Sequence, residues 1–274
     1  MEKPLAKDLT SYDLLKTFAI VTMVCDHIGY YIFPWQLWWR VVGRLCVPVW
    51  FFLIGYAQSR DTGPKMWLGL AIVEASSFVV GMSFFPADIL ATMIFLRLTI
   101  DLVMKTATRS ATNLWGLSML FALLIDYSNR VFEYGTLALP MAMFGYFARN
   151  RDRLKEPQKI MTQYFAFSYV LYIASQTYWF GFQGPRILAL SVGVLIVMAV
   201  LLVFRPVTFP KATAAMPRPL VALLQFTGRH TLPIYVVHLL LLRAWDLWHA
   251  PYRFQLFDWC LFSHTGTCIQ ITGH

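Results

Sequence analysis

The sequence predicts an all-α fold, a polytopic transmembrane helix bundle of about nine spans with its N-terminus in the cytoplasm. Three observations carry that expectation: composition, the length of the apolar runs, and the placement of the basic residues. Of 274 residues, 58% are hydrophobic, 16% aromatic and only 14% charged, whereas a soluble domain carries about 25% charged residues. Mean hydropathy is +0.56, which excludes the soluble globular, fibrous and disordered classes. The net charge of +9, from 23 basic and 14 acidic residues, would in a soluble chain raise nucleic-acid binding. Here the basic residues fall mostly between apolar runs, where they encode topology, so no nucleic-acid partner is expected.

In chain order, the first span covers 14–33, with Lys3, Lys7 and Lys16 at its entry. A short connection around Pro34 leads to the second, 37–57, which is left through Arg60 and Lys65. The third, 66–84, turns near Pro86 into the fourth, 87–104, followed by Lys105 and Arg109. The fifth, 112–127, and the sixth, 131–148, are separated by Arg130 alone among basic residues. Arg149, Arg151, Arg153, Lys155 and Lys159 follow the sixth; a role of this loop in holding cofactor phosphates is a secondary expectation. The seventh, 160–180, and the eighth, 187–204, flank Arg186, and Arg205, Lys211 and Arg218 precede the ninth, 219–245. Basic connections alternate with nearly bare ones. The positive-inside rule therefore puts the N-terminus in the cytoplasm and, with an odd number of spans, the C-terminus outside. No cleavable signal is expected, because the first apolar run is too long and lacks a small-residue cleavage site.

Short connections force antiparallel neighbours, so 1–250 reads as one membrane domain and 251–274 as a polar C-terminal tail. Cys25 and Cys46 fall within spans as small hydrophobes, while Cys260 and Cys268 in the tail are candidates for a disulfide on the oxidising face. No metal-ligand spacing is present.

Charged groups within spans each cost about 2.5–3.5 kcal/mol on insertion scales, so they are candidate site residues. Asp26 and His27 are adjacent in the first span and lie about 100° apart on its helix. Arg40 and Arg44 share a face of the second span. Arg44, a turn deeper, is expected to meet Asp26 and keep it ionised, whereas Arg40 near the outer interface reads best as snorkelling. In the ninth segment, Thr231 and Pro233 look like a helix start, which predicts a break around Gly228 to His230. Tyr235 and His238 then share a face. Arg97 and Asp101, at i and i+4, are expected to neutralise one another within the fourth span; Glu74 and Asp126 lie nearer span ends or lack a named partner. One carboxylate, two histidines and a deep arginine suit acid–base chemistry. On residues alone, an enzyme and a proton-coupled transporter both remain open.

Resemblance goes further. The run Tyr12-Asp13-Leu14-Leu15-Lys16-Thr17-Phe18-Ala19-Ile20, with Met23 and Asp26-His27-Ile28, resembles the opening signature of the TraX family. The same holds for Trp39-Arg40…Gly43-Arg44…Pro48 running into Phe51-Phe52-Leu53, and for Pro233-Ile234-Tyr235-Val236-Val237-His238-Leu239. The match covers roughly 12–60 and 226–242, while the middle agrees in hydropathy and length. The resemblance implies a multi-pass inner-membrane protein, similar to transmembrane acyltransferases, whose founding relative is associated with N-terminal acetylation of conjugative pilin. It implies acetyl-CoA as donor and an amine or hydroxyl acceptor: a pilin-like protein, a glycan or a small molecule. Asp26, His27, Arg44 and His238 would carry the chemistry, with Arg40 and Tyr235 toward the cofactor. In this expectation Asp26 orients His27 as general base, Arg44 stabilises the oxyanion or a phosphate, and a ping-pong route through an acetylated histidine is equally allowed. The alternatives are a secondary transporter with a His/Asp relay and a non-catalytic subunit of a conjugation machine.

Overall fold

The structure is a computed structural model and describes residues 7–154, 156–254, 256–258, 260–264 and 267–268. Helices account for most of it. In order they are α1 (Ser11–Tyr31), α2 (Leu37–Gly43), α3 (Cys46–Tyr56), α4 (Pro64–Val79), α5 (Ile89–Ala107), α6 (Ala111–Leu123) and α7 (Ile125–Ser128). There follow α8 (Ala138–Arg149), α9 (Pro157–Phe180), α10 (Pro185–Val203), α11 (Pro210–Ala215), α12 (Arg218–Arg229) and α13 (Thr231–His249). The only strands among the described residues are a pair of two residues each, Ser263–His264 with Thr267–Cys268, in the tail.

Helix starts follow local chemistry. Thr10 caps α1 in a capping box with Asp13, and Pro stands at the first turn of α4, α9, α10 and α11, where its missing N–H costs nothing. Proline also explains the breaks. Pro48 has no N–H to give to the carbonyl of Arg44 four residues earlier; the Tyr172 hydroxyl donates to it instead, at 2.6 Å. The second apolar run is thus α2 and α3 in tandem. Pro233 likewise denies the Arg229 carbonyl its donor, and the backbone turns at His230 (φ −110°, ψ 37°), within the break that Thr231 and Pro233 predict. The expected ninth span is therefore corrected to two helices: α12 packs across the start of α1, and α13 runs beside α1 in the same direction. Three contacts in register mark that alignment: Asp13 with Arg229 at 3.0 Å, His27 with His238 at 2.7 Å, and Tyr31 with Arg243 at 3.1 Å.

The sixth run also starts later than expected. Residues 131–134 are non-helical because their backbone is used elsewhere: Ala87 N–H donates to Val131 and Glu133 N–H to Ala87, both at 2.9 Å. Irregular backbone within a bundle survives where protein satisfies it. The tail adds to this layer, with Phe84 and Phe85 donating to the carbonyls of Cys260 and Leu261 at 2.8 Å. Cys260 is disulfide-bonded, Cys25 and Cys46 are free thiols, and the side chain of Cys268 lies outside the described residues.

The core is tightest between α3 and α8. A Cβ on Gly55 would run into the Ala142 backbone and one on Gly145 into the Phe52 carbonyl, so small residues bring the two backbones together as in membrane-helix packing. The exterior is apolar, with Leu98, Leu102, Leu123, Leu188, Val203 and Leu241 exposed on helix faces. Trp35, Trp38, Trp248 and Tyr252 are exposed at the end where α1 and α13 finish. By length and apolarity, the tandem Leu37–Tyr56 and α10 are each long and apolar enough to cross a membrane. Such an exterior is matched to lipid, not water.

Candidate functional site

Adjacent positions on α1 send Asp26 and His27 to different neighbours. Asp26 turns to α2, where its Oδ2 accepts from Arg40 Nη1 at 2.9 Å and Arg44 Nη2 at 3.0 Å. Arg40 Nη1 also donates to the Asp26 carbonyl at 3.2 Å. Gly43 permits the approach, since a Cβ there would collide with Asp26. The Phe180 ring lies against both guanidiniums, 5.0 Å from Arg40 and 4.3 Å from Arg44, and Arg44 donates to the Tyr134 hydroxyl. The expected Asp26–Arg44 pair is present. Arg40 is corrected from a snorkelling residue to a second partner of the same carboxylate, because the short turn after α1 brings α2 back alongside it.

His27 faces α13. Its Nδ1 lies 2.7 Å from His238 Nε2, and His238 Nδ1 lies 2.7 Å from the Ile234 carbonyl. A carbonyl only accepts, so His238 carries its proton on Nδ1 and, when neutral, presents a lone pair on Nε2. His27 must then donate from Nδ1, which leaves its Nε2 unprotonated. The tautomer follows from these partners. Asp26 is no part of this chain: its Oδ1 has no hydrogen-bond partner among the described residues. The expected Asp26–His27 dyad is thus replaced by a His27–His238 pair, for the 100° that separates neighbours on a helix.

A cavity of about 790 Å³ ties the groups together. Its deep end is lined by Asp26, His27, Cys46, Glu133, Tyr134 and Tyr235. Its other end, beside the first turns of α1, is lined by Asp13, Lys16, Arg97, Arg149 and Arg229. Between them run apolar side chains such as Ile20, Met23, Val47, Leu90 and Met93. Arg40, Arg44 and His238 do not line it; they stand behind the residues that do. Tyr235 lines the cavity but spends its hydroxyl proton on Asp88 Oδ2, at 2.5 Å. Asp88 in turn caps α5 through Leu90 N–H at 2.9 Å and donates its own N–H to Glu74 at 2.8 Å.

Other sequence expectations change partners. Arg97 and Asp101 do not pair. Arg60, reaching back from the end of α3, takes Asp101 at 3.1 Å, and Arg97 donates to the carbonyls of Ser59 and Asp61. Asp126 accepts from Trp179 at 3.5 Å. Glu133, Asp88 and the buried Arg243, which donates to Tyr31, Val73 and Ser76, were not foreseen. For each, the signal was there: a lone charge in an apolar run, the same rule that singles out Asp26. No group of three or more metal-ligating side chains occurs among the described residues.

Helices with a lipid-matched exterior and a polar cluster around an internal cavity define a helical membrane protein. The chain belongs to the TraX family: the family model described as TraX protein matches residues 11–245. It is 26% identical over 147 residues to a protein of Rickettsia prowazekii (strain Madrid E) described as uncharacterized, an overlap covering 53% of this chain and 59% of that relative. The chain thus spans about three-fifths of the length of the curated relative it matches. No solved structure matches it.

Proposed function

We propose that the protein is a multi-pass inner-membrane acyltransferase that moves an acetyl group from acetyl-CoA to an amine or hydroxyl acceptor. The observation that carries this reading is the cavity that joins a basic end to His27. Lys16 and His27 stand eleven residues apart on α1, about 16 Å along its axis. A donor with anionic phosphates at one end and a thioester at the other matches such a cavity. Phosphates would sit against Lys16 and Arg149, whose loop the sequence marks as a secondary phosphate-binding candidate, and the arm would run along the apolar wall. With the N-terminus cytoplasmic and about nine spans, the basic end faces the compartment that holds acyl-CoA.

In the transfer step, the acceptor N or O attacks the thioester carbon while His27 Nε2 takes the acceptor's proton. The tetrahedral oxyanion accepts the Tyr134 O–H, which is polarised by the Arg44 N–H behind it. The C–S bond then breaks, and His27 returns the proton to the thiolate, giving acylated acceptor and CoA thiol. His238 holds His27 in the reactive tautomer, and Asp26 holds Arg44, so both act as positioning residues. A pilin-like protein, as the family resemblance implies, is the acceptor this reading favours over a glycan or small molecule.

The test is thiol release from acetyl-CoA by purified protein, wild type beside His27→Ala, with acetyl-CoA binding read on the same samples. Release lost in the variant while binding persists supports the reading. Absence of binding at millimolar acetyl-CoA overturns it in favour of a proton-coupled transporter, and unchanged activity in His27→Ala removes the assigned role.

A further inference from the structure

Helix α12 is amphipathic in the opposite sense to a helix that faces water. Its polar side is turned to the protein: Gln225 donates to the Lys7 carbonyl at 2.8 Å, Arg229 pairs with Asp13 at 3.0 Å, and the hydroxyls of Thr227 and Thr17 meet at 2.7 Å. Gly228 lies so close that a Cβ there would collide with the Asp13 backbone. The outward side is apolar. At 100° per residue, Ala222, Phe226, Pro219 and Leu223 fall in that order within an arc of about 100°. All four are exposed, Leu223 by 56% and Phe226 by 55%. A helix resting on a soluble protein turns such a stripe inward and gives its polar residues to water; α12 does the reverse.

With twelve residues, α12 is about 18 Å long, too short to cross a hydrocarbon core of about 30 Å. It lies across the start of α1, between Pro217 and the break at His230. The charge around it has one sign. No Asp or Glu occurs from 157 to 245. Arg205, Lys211 and Arg218, ahead of α12 and at its first position, are exposed and make no ion pair among the described residues. An outward apolar stripe flanked by unpaired cations is the pattern of a helix held in the plane of an interface by buried apolar area and by anionic headgroups.

We infer that α12 is an in-plane membrane helix whose Leu223 and Phe226 rest among lipid chains, while Arg205, Lys211 and Arg218 take the phosphates of anionic phospholipids. Lipid fits this face better than a second copy does. The stripe continues the apolar exterior of the bundle, and a two-fold contact would bring the same three cations together. Gly228 and Arg229, on the inner side, line the basic end of the cavity, which sets that opening at headgroup depth. The inference goes beyond the acyltransferase reading and does not depend on it.

The experiment uses the full-length protein in phosphatidylcholine nanodiscs, with an environment-sensitive fluorophore on Leu223→Cys or, as a control in the exposed loop after α8, on Asp152→Cys. Wild type labelled in parallel gives the background from Cys25 and Cys46. Phosphatidylcholine with a nitroxide near the carbonyl end of its chain is expected to quench the Leu223 position about threefold more than the Asp152 position, as an in-plane helix requires. Equal quenching at the two positions overturns the inference. The same nitroxide carried on phosphatidylglycerol should quench the Leu223 position about twofold more than on phosphatidylcholine at equal mole fraction. That preference should vanish when Arg205→Gln, Lys211→Gln and Arg218→Gln are combined. Equal quenching by the two carriers before those changes overturns the headgroup assignment. Disulfide-linked dimers formed through Leu223→Cys, with no quenching by lipid, give the face to a second copy and overturn the inference as a whole.

Discussion

His27 on α1 and His238 on α13 meet through ring nitrogens 2.7 Å apart, and the Ile234 carbonyl 2.7 Å from the far nitrogen of His238 sets the direction of both protons. In the proposed transfer, His238 would take the orienting role that a carboxylate takes for the histidine of a catalytic triad.

His238→Ala should therefore lower kcat by about 10², the scale of a lost acid–base contribution, with little change in the KM for acetyl-CoA. His238→Gln, which can still accept from His27 Nδ1 through its amide oxygen, should retain more activity. Steady-state kinetics on both variants checks this, and equal kcat values for the two would argue against tautomer control.

Asp26 is a structural counter-charge for two guanidiniums. Asp26→Asn leaves Arg40 and Arg44 buried beside a neutral group, and breaking a buried pair costs about 3–5 kcal/mol. Thermal unfolding in detergent should show a large fall for this variant and a smaller one for Arg40→Met, because Arg44 remains to neutralise Asp26. A Tm for Asp26→Asn within a degree of wild type would refute the assignment.

Close backbone approach makes specific glycines intolerant. Gly55→Ala would drive a methyl into the Ala142 backbone, where neither helix can yield by a rotamer change, and overpacking of this kind costs roughly 1–3 kcal/mol. Gly116→Ala, with open space around the added carbon, serves as the control, expected to be neutral or slightly stabilising for its better helix propensity. Folded yield and Tm measured side by side decide the matter.

At the basic end, Lys16→Glu should weaken acetyl-CoA binding about tenfold, equivalent to ~1.4 kcal/mol, and the effect should shrink with added salt. Acetyl-pantetheine, which carries the thioester but no phosphates, should bind wild type and variant alike. If both ligands lose affinity equally, Lys16 does not face phosphate.

Much of the bundle is legible in the sequence because its signals are local. Apolar runs mark the helices, and Thr231 with Pro233 marks where a hydrogen-bond ladder fails, whereas Pro48 divides a run, 37–57, that reads as one span. The break near His230 is such a case, as is the meeting of Asp26 with Arg44, which a five-residue turn between α1 and α2 all but dictates. Arg97 and Asp101 show the limit. Spacing at i and i+4 permits a pair, but Arg60 approaches from the end of α3, and only the packed bundle shows that Asp101 is taken. Glu133 shows another limit: nothing around it in the chain marks residues 131–134 as a non-helical layer bonded to Ala87.

What the sequence by itself determined is the helical class, the break near His230, the family and the ionisable residues Asp26 and Arg44 that belong inside. Each rests on periodicity, composition or a covalent property of proline, which need no knowledge of distant contacts. Only the tertiary structure decided who partners whom: His27 with His238, Asp26 with two arginines, and Tyr235 with Asp88. Those pairings join residues from separate helices, up to 211 positions apart. They depend on helix rotation and depth, since a 100° step along α1 is enough to send adjacent side chains to opposite neighbours.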